Sequence, residues 1–168
     1  MRKKQNIDWD NLEFGVYPTR SMWKSTNSIN GEWDKGGLIP YGNIEISPAA
    51  GVLNYGQGIF EGMKAYHSSK DRLVLFRPDM NAKRISTSCK RLCMPEISKD
   101  YFINAILEVV RDNADFVPPY NKGGLYIRPV VWGTAPTLGV APASEYTFLV
   151  YTAPVGPYFR GGIKPLNL

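Results

Sequence analysis

The chain is poor in the residues from which most compact reaction centres are built. Its 168 residues hold one histidine, His67, and two cysteines, Cys89 and Cys93. A structural zinc ion takes four thiolate or imidazole ligands, so no metal site is expected. No Ser/His/Asp set and no carboxylate pair stands out. A Walker A loop and a dinucleotide fingerprint are both absent. No apolar run is long enough to span a bilayer. The first ten residues, MRKKQNIDWD, lack the apolar segment of a secretory signal. There is no repeat, low-complexity tract or long linker. The reading is one soluble, intracellular domain, placed in the cytoplasm, with no membrane partner.

The few cysteines exclude something further. Cys89 and Cys93 are four apart in a segment of helical pattern, which places them on one helix face. A disulfide's geometry does not favour that spacing. Small apolar packing under reducing conditions accounts for both. The net charge of +5 raises nucleic acid as a partner. The basic clusters, Arg2–Lys4 and then Lys83, Arg84, Lys90 and Arg91, are not interleaved with aromatics, and no nucleic-acid module signature occurs. No nucleic-acid partner is expected.

What the chain does have is an unusual mixture at Asn54–Tyr66, NYGQGIFEGMKAY. Gly56, Gly58 and Gly62 alternate there with Tyr55, Ile59, Phe60, Met63 and Tyr66, around one carboxylate, Glu61. A surface turn has no use for that much aromatic surface, nor a core strand for that much glycine.

Around it the pattern reads as strands, then helices, then strands. Residues 20–50 are short strands broken by turns at NGEW, KGG and YGN. MKAYHS and RLVLFRP flank SKD as a hairpin. Asp79 can cap a helix with Ala82, Ile85, Cys89 and Leu92 along one face, closed by Pro95. Ser98 caps a second helix, with Ile103, Ile106, Leu107 and Val110 as its buried stripe. GLYIRPVVWG and EYTFLVYTAPVG are strands joined by a loop from Thr134 to Ala143. This order predicts an α+β domain: an antiparallel or mixed sheet with two helices on one side.

Two arginines sit where packing alone would not put them. Alternation places Tyr126, Arg128, Val130 and Trp132 on one strand face, and Leu125, Ile127 and Val131 on the other. A buried guanidinium without a partner is costly. Arg128 therefore either has a carboxylate partner, for which Glu61 is a candidate, or opens on a ligand cleft beside Tyr126. Arg84 flanks the apolar stripe of its helix. It is either a surface residue or a phosphate contact, for which its planar fork is suited.

Several long stretches resemble the branched-chain amino acid aminotransferases, pyridoxal-phosphate enzymes of fold type IV. They are YGNIEISPAAGVLNYGQGIFEGMKAY, LFRPDMNAKRI, LYIRPVVWGTAPTLGV and YTAPVGPYF, in the family's order and spacing, and the likeness runs from Ile7 to the last residue. The resemblance implies that the glycine-rich stretch lines a substrate pocket, with Phe60 and Tyr158 as walls and Phe14 as a further contact. It implies that Tyr126 and Arg128 face the substrate and shape how the acidic one, glutamate, is held. Tyr55 would reach into a partner subunit's site, and Leu138 and Val140 would close that partner's pocket, as in a homodimer. Arg84 would bind the phosphate of pyridoxal phosphate. Branched-chain amino acids and their 2-oxo acids would be the small-molecule partners.

The lysine that holds the cofactor covalently belongs, by the same resemblance, to a second, larger domain beyond the stretch corresponding to KPLNL. Lys164 stands in the wrong motif. Residues 1–168 are thus expected to be the small N-terminal domain, truncated before the catalytic lysine and inactive alone. The alternative expectation is a non-catalytic interaction protein that pairs with a full-length relative.

Overall fold

A computed structural model describes residues 7–27 and 31–157. The chain order is β1 (Ser21–Asn27), β2 (Gly37–Pro40), α1 (Gly51–Tyr55), β3 (Gly58–Phe60), β4 (Met63–His67), β5 (Leu73–Leu75), α2 (Pro78–Arg91), α3 (Lys99–Asp112), β6 (Gly124–Gly133) and β7 (Tyr146–Val155). Among the described residues the strands form one sheet in the order β2-β1-β7-β6-β4-β5, and β3 also pairs with β6. Each of these pairings is antiparallel. The fold is the expected α+β arrangement.

β6 and β7 are rich in β-branched and aromatic residues, and they pair over their full length, from Gly124↔Val155 to Gly133↔Tyr146. β6 carries Pro129 in mid-strand, where a proline normally removes a ladder bond. Here the opposite strand is interrupted. β3 ends at Phe60, paired to Val130, and β4 resumes at Met63, paired to Ile127. The Pro129 carbonyl accepts the Glu61 amide at 2.9 Å, so the missing N–H falls at the break. Glu61 and Gly62 occupy that break.

Helices α2 and α3 cover one sheet face. Ala82, Ile85 and Cys89 of α2 join Phe102, Ala105, Ile106, Val109 and Val110 of α3 against Ala65, Leu125, Ile127, Val131, Phe148 and Val150. The core therefore has the inward-facing set of β6 that alternation predicts. Among the described residues the other sheet face holds a small cluster of Met22, Val130 and Leu149, flanked by Trp132 and Tyr151. This open face carries Tyr126 and Arg128.

Three helix expectations are corrected. Arg77, at φ 48°, stands at the N-cap of α2, with Pro78 following; Asp79 lies inside the first turn and pairs with Arg77 at 2.9 Å. A proline with its fixed φ suits the first helical position and displaces the capping role expected of Asp79. α2 ends at Arg91, and Cys93 follows at φ 52°, exposed. Cys93 thus shares no helix face with Cys89, and Leu92 is exposed at the cap. In α3 the buried stripe is Phe102, Ala105, Ile106, Val109 and Val110, with Ile103 and Leu107 on its flanks. Phe102 is the largest apolar group on the helix and draws that face inward. Ser98 does cap α3, accepting the Tyr101 amide at 3.3 Å. The MKAYHS–RLVLFRP hairpin is present as β4 and β5.

Candidate functional site

Consecutive residues at the sheet break engage two arginines from opposite directions. The Arg128 guanidinium carbon lies over the Phe60 ring, 4.5 Å from its centroid. Its Nε and Nη2 donate to the Tyr126 hydroxyl oxygen at 3.2 and 2.9 Å. Phe14 meets the Tyr126 ring edge-on at 5.2 Å. Glu61, the carboxylate expected beside Arg128, is paired with Arg84 instead. A π-face and a phenol oxygen hold the Arg128 guanidinium on the open sheet face. Beside this cluster is a cavity of about 250 Å³ whose walls include Phe14, Val16, Tyr41, Tyr126, Arg128 and Tyr151.

Glu61, the carboxylate expected to serve Arg128, belongs to Arg84. Its Oε1 accepts from Arg84 Nε at 2.8 Å and its Oε2 from Arg84 Nη2 at 2.7 Å. Asn81 Nδ2 adds a bond to Oε2 at 2.7 Å and one to the Gly62 carbonyl at 3.2 Å. The hydrogen bonds from Arg84 to Glu61, reinforced by the opposite charge, raise the arginine's pKa further above its ordinary value. Sequence reasoning missed Asn81. Its signal was its position three residues before Arg84, which puts both on one helix face.

The glycines of the opening motif now have separate reasons. Gly56 stands at φ 64°, the left-handed cap of α1. A Cβ at Gly62 would stand 2.4 Å from the Tyr126 hydroxyl, so any side chain there must displace the phenol.

Tyr55, Leu138 and Val140 form a second group. The Tyr55 hydroxyl donates to the Leu138 carbonyl oxygen. Gln57 fixes the loop, its Oε1 accepting the Ala143 amide at 3.0 Å and its backbone carbonyl accepting the Gly133 amide at 2.9 Å. Leu138 is 91% exposed and Val140 87%. This lobe leaves the sheet near Gly133, whereas Tyr126 lies toward the opposite end of β6. Tyr158 falls outside the described residues. A wider, open groove of about 820 Å³ at Trp9, His67, Asp115 and Tyr120 contains none of the expected site residues.

A sequence profile of the family described as amino-transferase class IV matches residues 58–158. The chain belongs to that family. Similar proteins include branched-chain enzymes by name. The chain is 50% identical to the chloroplastic branched-chain-amino-acid aminotransferase 5 of Arabidopsis thaliana over 162 residues, 96% of this chain and 39% of that protein. It is 47% identical to the branched-chain-amino-acid aminotransferase of Helicobacter pylori over 165 residues, 98% of this chain and 48% of that one. Among solved structures, the branched-chain aminotransferase of the thermophilic archaeon Thermoproteus uzoniensis with norvaline superposes with a TM-score of 0.66 at 25% identity, over 83% of this chain and 43% of that chain. The chain thus spans under half the length of the relatives it matches, corresponding to their N-terminal part.

Proposed function

We propose that these residues form the small-domain half of a branched-chain amino acid aminotransferase site. Such a site exchanges the amino group of leucine, isoleucine or valine with 2-oxoglutarate. The observation that carries this reading is the convergence of Phe14, Tyr126 and Arg128 on one cavity, with Arg128 laid over Phe60. Aromatic walls suit a branched apolar side chain, and one guanidinium among them suits the carboxylate of the acidic substrate.

The phosphate of pyridoxal phosphate is assigned to Arg84, and the donor set fits it. Glu61 takes Nε and one hydrogen of Nη2, and the arginine side chain is 57% exposed. The remaining Nη1–Nη2 edge is a planar fork of the kind that binds phosphate. When bound, the cofactor supplies the electron sink for amino-group transfer. The residues described here bind and orient. Arg84 anchors, Phe60 and Phe14 exclude water, and Tyr126 and Arg128 place a carboxylate.

The lysine of the chemistry belongs to the remainder of a longer protein, so residues 1–168 alone do not turn over substrate. The exposed Tyr55–Leu138–Val140 lobe supports pairing with a second copy, whose pocket it would close. It equally supports pairing with a full-length relative. An intracellular location is part of the proposal; plant relatives include proteins named chloroplastic and mitochondrial. Among the described residues no helix is long and apolar enough to cross a membrane.

The test joins residues 1–168 to the remaining part of the Helicobacter pylori relative. Leucine with 2-oxoglutarate should be turned over by the chimera and not by residues 1–168 alone. A folded chimera that binds the cofactor but does not accept leucine, isoleucine or valine would overturn the substrate assignment.

A further inference from the structure

We propose that Glu61 is a positioning residue, which holds the Arg84 guanidinium with its Nη1–Nη2 edge outward as an anion-binding edge. The inference rests on the reading of Arg84 as the phosphate contact.

Arginine has two edges that can grip an oxyanion, one through Nε and Nη2 and one through Nη1 and Nη2. Glu61 occupies the first through both carboxylate oxygens. The second remains, on a side chain that is 57% exposed, while Glu61 itself is only 11% exposed. A carboxylate can orient an arginine only if it is itself held. Glu61 is held from both sides: its amide donates to the Pro129 carbonyl at 2.9 Å, and Asn81 donates to its Oε2 at 2.7 Å. Asn81 also donates to the Gly62 carbonyl, which ties the sheet break to α2. The long, flexible arginine is thereby ordered before any anion arrives. Ordering a free side chain on binding weakens an interaction; doing so beforehand removes that cost.

The charge of Glu61 argues the other way. A carboxylate beside an anion site repels the anion. Were Glu61 merely a neutralising neighbour, its removal would tighten phosphate binding. Were it the orienting group, its removal would weaken binding despite the gain in positive charge. The sign of the change separates the two roles.

The probes are inorganic phosphate and pyridoxamine 5′-phosphate, with unphosphorylated pyridoxamine as the control. The full 168-residue chain is titrated, and the Arg84 Nε–H resonance is followed by NMR. Both phosphates should shift it, and Arg84→Lys should abolish saturable binding. Glu61→Gln should weaken phosphate binding roughly two- to tenfold, the cost of immobilising one long side chain. It should also release rotation about the guanidinium bonds, seen as faster exchange of the Nε–H. Glu61→Asp retains the charge but loses the reach; it should show the same weakening and serves if Glu61→Gln does not fold. Unchanged or tighter phosphate binding in a folded Glu61 variant, with Arg84→Lys still inactive in binding, would overturn the positioning role alone. Phosphate binding by Arg84→Lys equal to that of the parent, or no phosphate-dependent shift in the parent, would overturn the assignment of Arg84 and this inference with it.

Discussion

The hydroxyl of Tyr126 fills the space that a side chain at position 62 would occupy: a Cβ on Gly62 would stand 2.4 Å from it. The same hydroxyl accepts both bonds from Arg128. Glycine at position 62 thus sets the position of the phenol, and the phenol sets the position of the guanidinium.

Gly62→Ala should push the Tyr126 ring aside and break its bonds to Arg128. Overpacking of this kind costs about 1–3 kcal/mol. The cost should fall at the low end, since the ring can swing toward the open sheet face. Urea unfolding measures the stability, and the chemical shifts of Phe14, against which the ring rests, report the displacement. Unchanged Phe14 shifts would contradict it.

The two cysteines should react very differently with a thiol reagent. Burial pushes the Cys89 thiol up to about 12, whereas Cys93 is exposed past the end of α2. The thiolate is the nucleophile, so Cys89 should stay protected in the native state. A maleimide at neutral pH should label Cys93 alone, and both after denaturation. Native labelling of Cys89 at the rate of unfolded chain would contradict the packing of α2.

Much of this architecture was legible from pattern. Period-two alternation along β6 correctly separated Leu125, Ile127 and Val131 from Tyr126, Arg128 and Val130, because one face is covered by helices and the other is open. The helix caps and stripes were read less well where two local signals compete, as at Arg77, Pro78 and Asp79. Partners distant in sequence were the least legible. Nothing in the one-dimensional pattern says that Glu61 meets Arg84 and Phe60 meets Arg128. That assignment depends on the break between β3 and β4, which turns adjacent residues toward different elements. The Tyr55–Leu138 contact likewise depends on how Gln57 anchors a distant loop.

Acid should loosen the N-terminal strands through Asp34. Burial alone would raise its pKa. The hydroxyl and amide of Thr26, together with the Gly36 amide, outweigh that and leave it below the ordinary 3.8. A carboxylate depressed on folding stabilises the fold above its unfolded value and ceases to do so as pH falls through its folded value. Stability should therefore decline as pH drops below 3.8, and less steeply in Asp34→Asn. Denaturant melts at neutral pH and across this acid range check it; identical pH dependence in the two proteins would remove Asp34 from the account.

The most direct measurement concerns Arg128. In the chimera carrying the lysine-bearing remainder of the Helicobacter pylori relative, kcat/KM is compared for glutamate and leucine before and after Arg128→Ala. A hydrogen bond to a charged group contributes about 1.5–3 kcal/mol, so glutamate should lose roughly tenfold or more. Leucine, whose side chain meets the aromatic walls, should change less. Equal losses for the two substrates would contradict the account, and would mean that Arg128, on its bed of Phe60 and Tyr126, holds the sheet face together without reading the substrate.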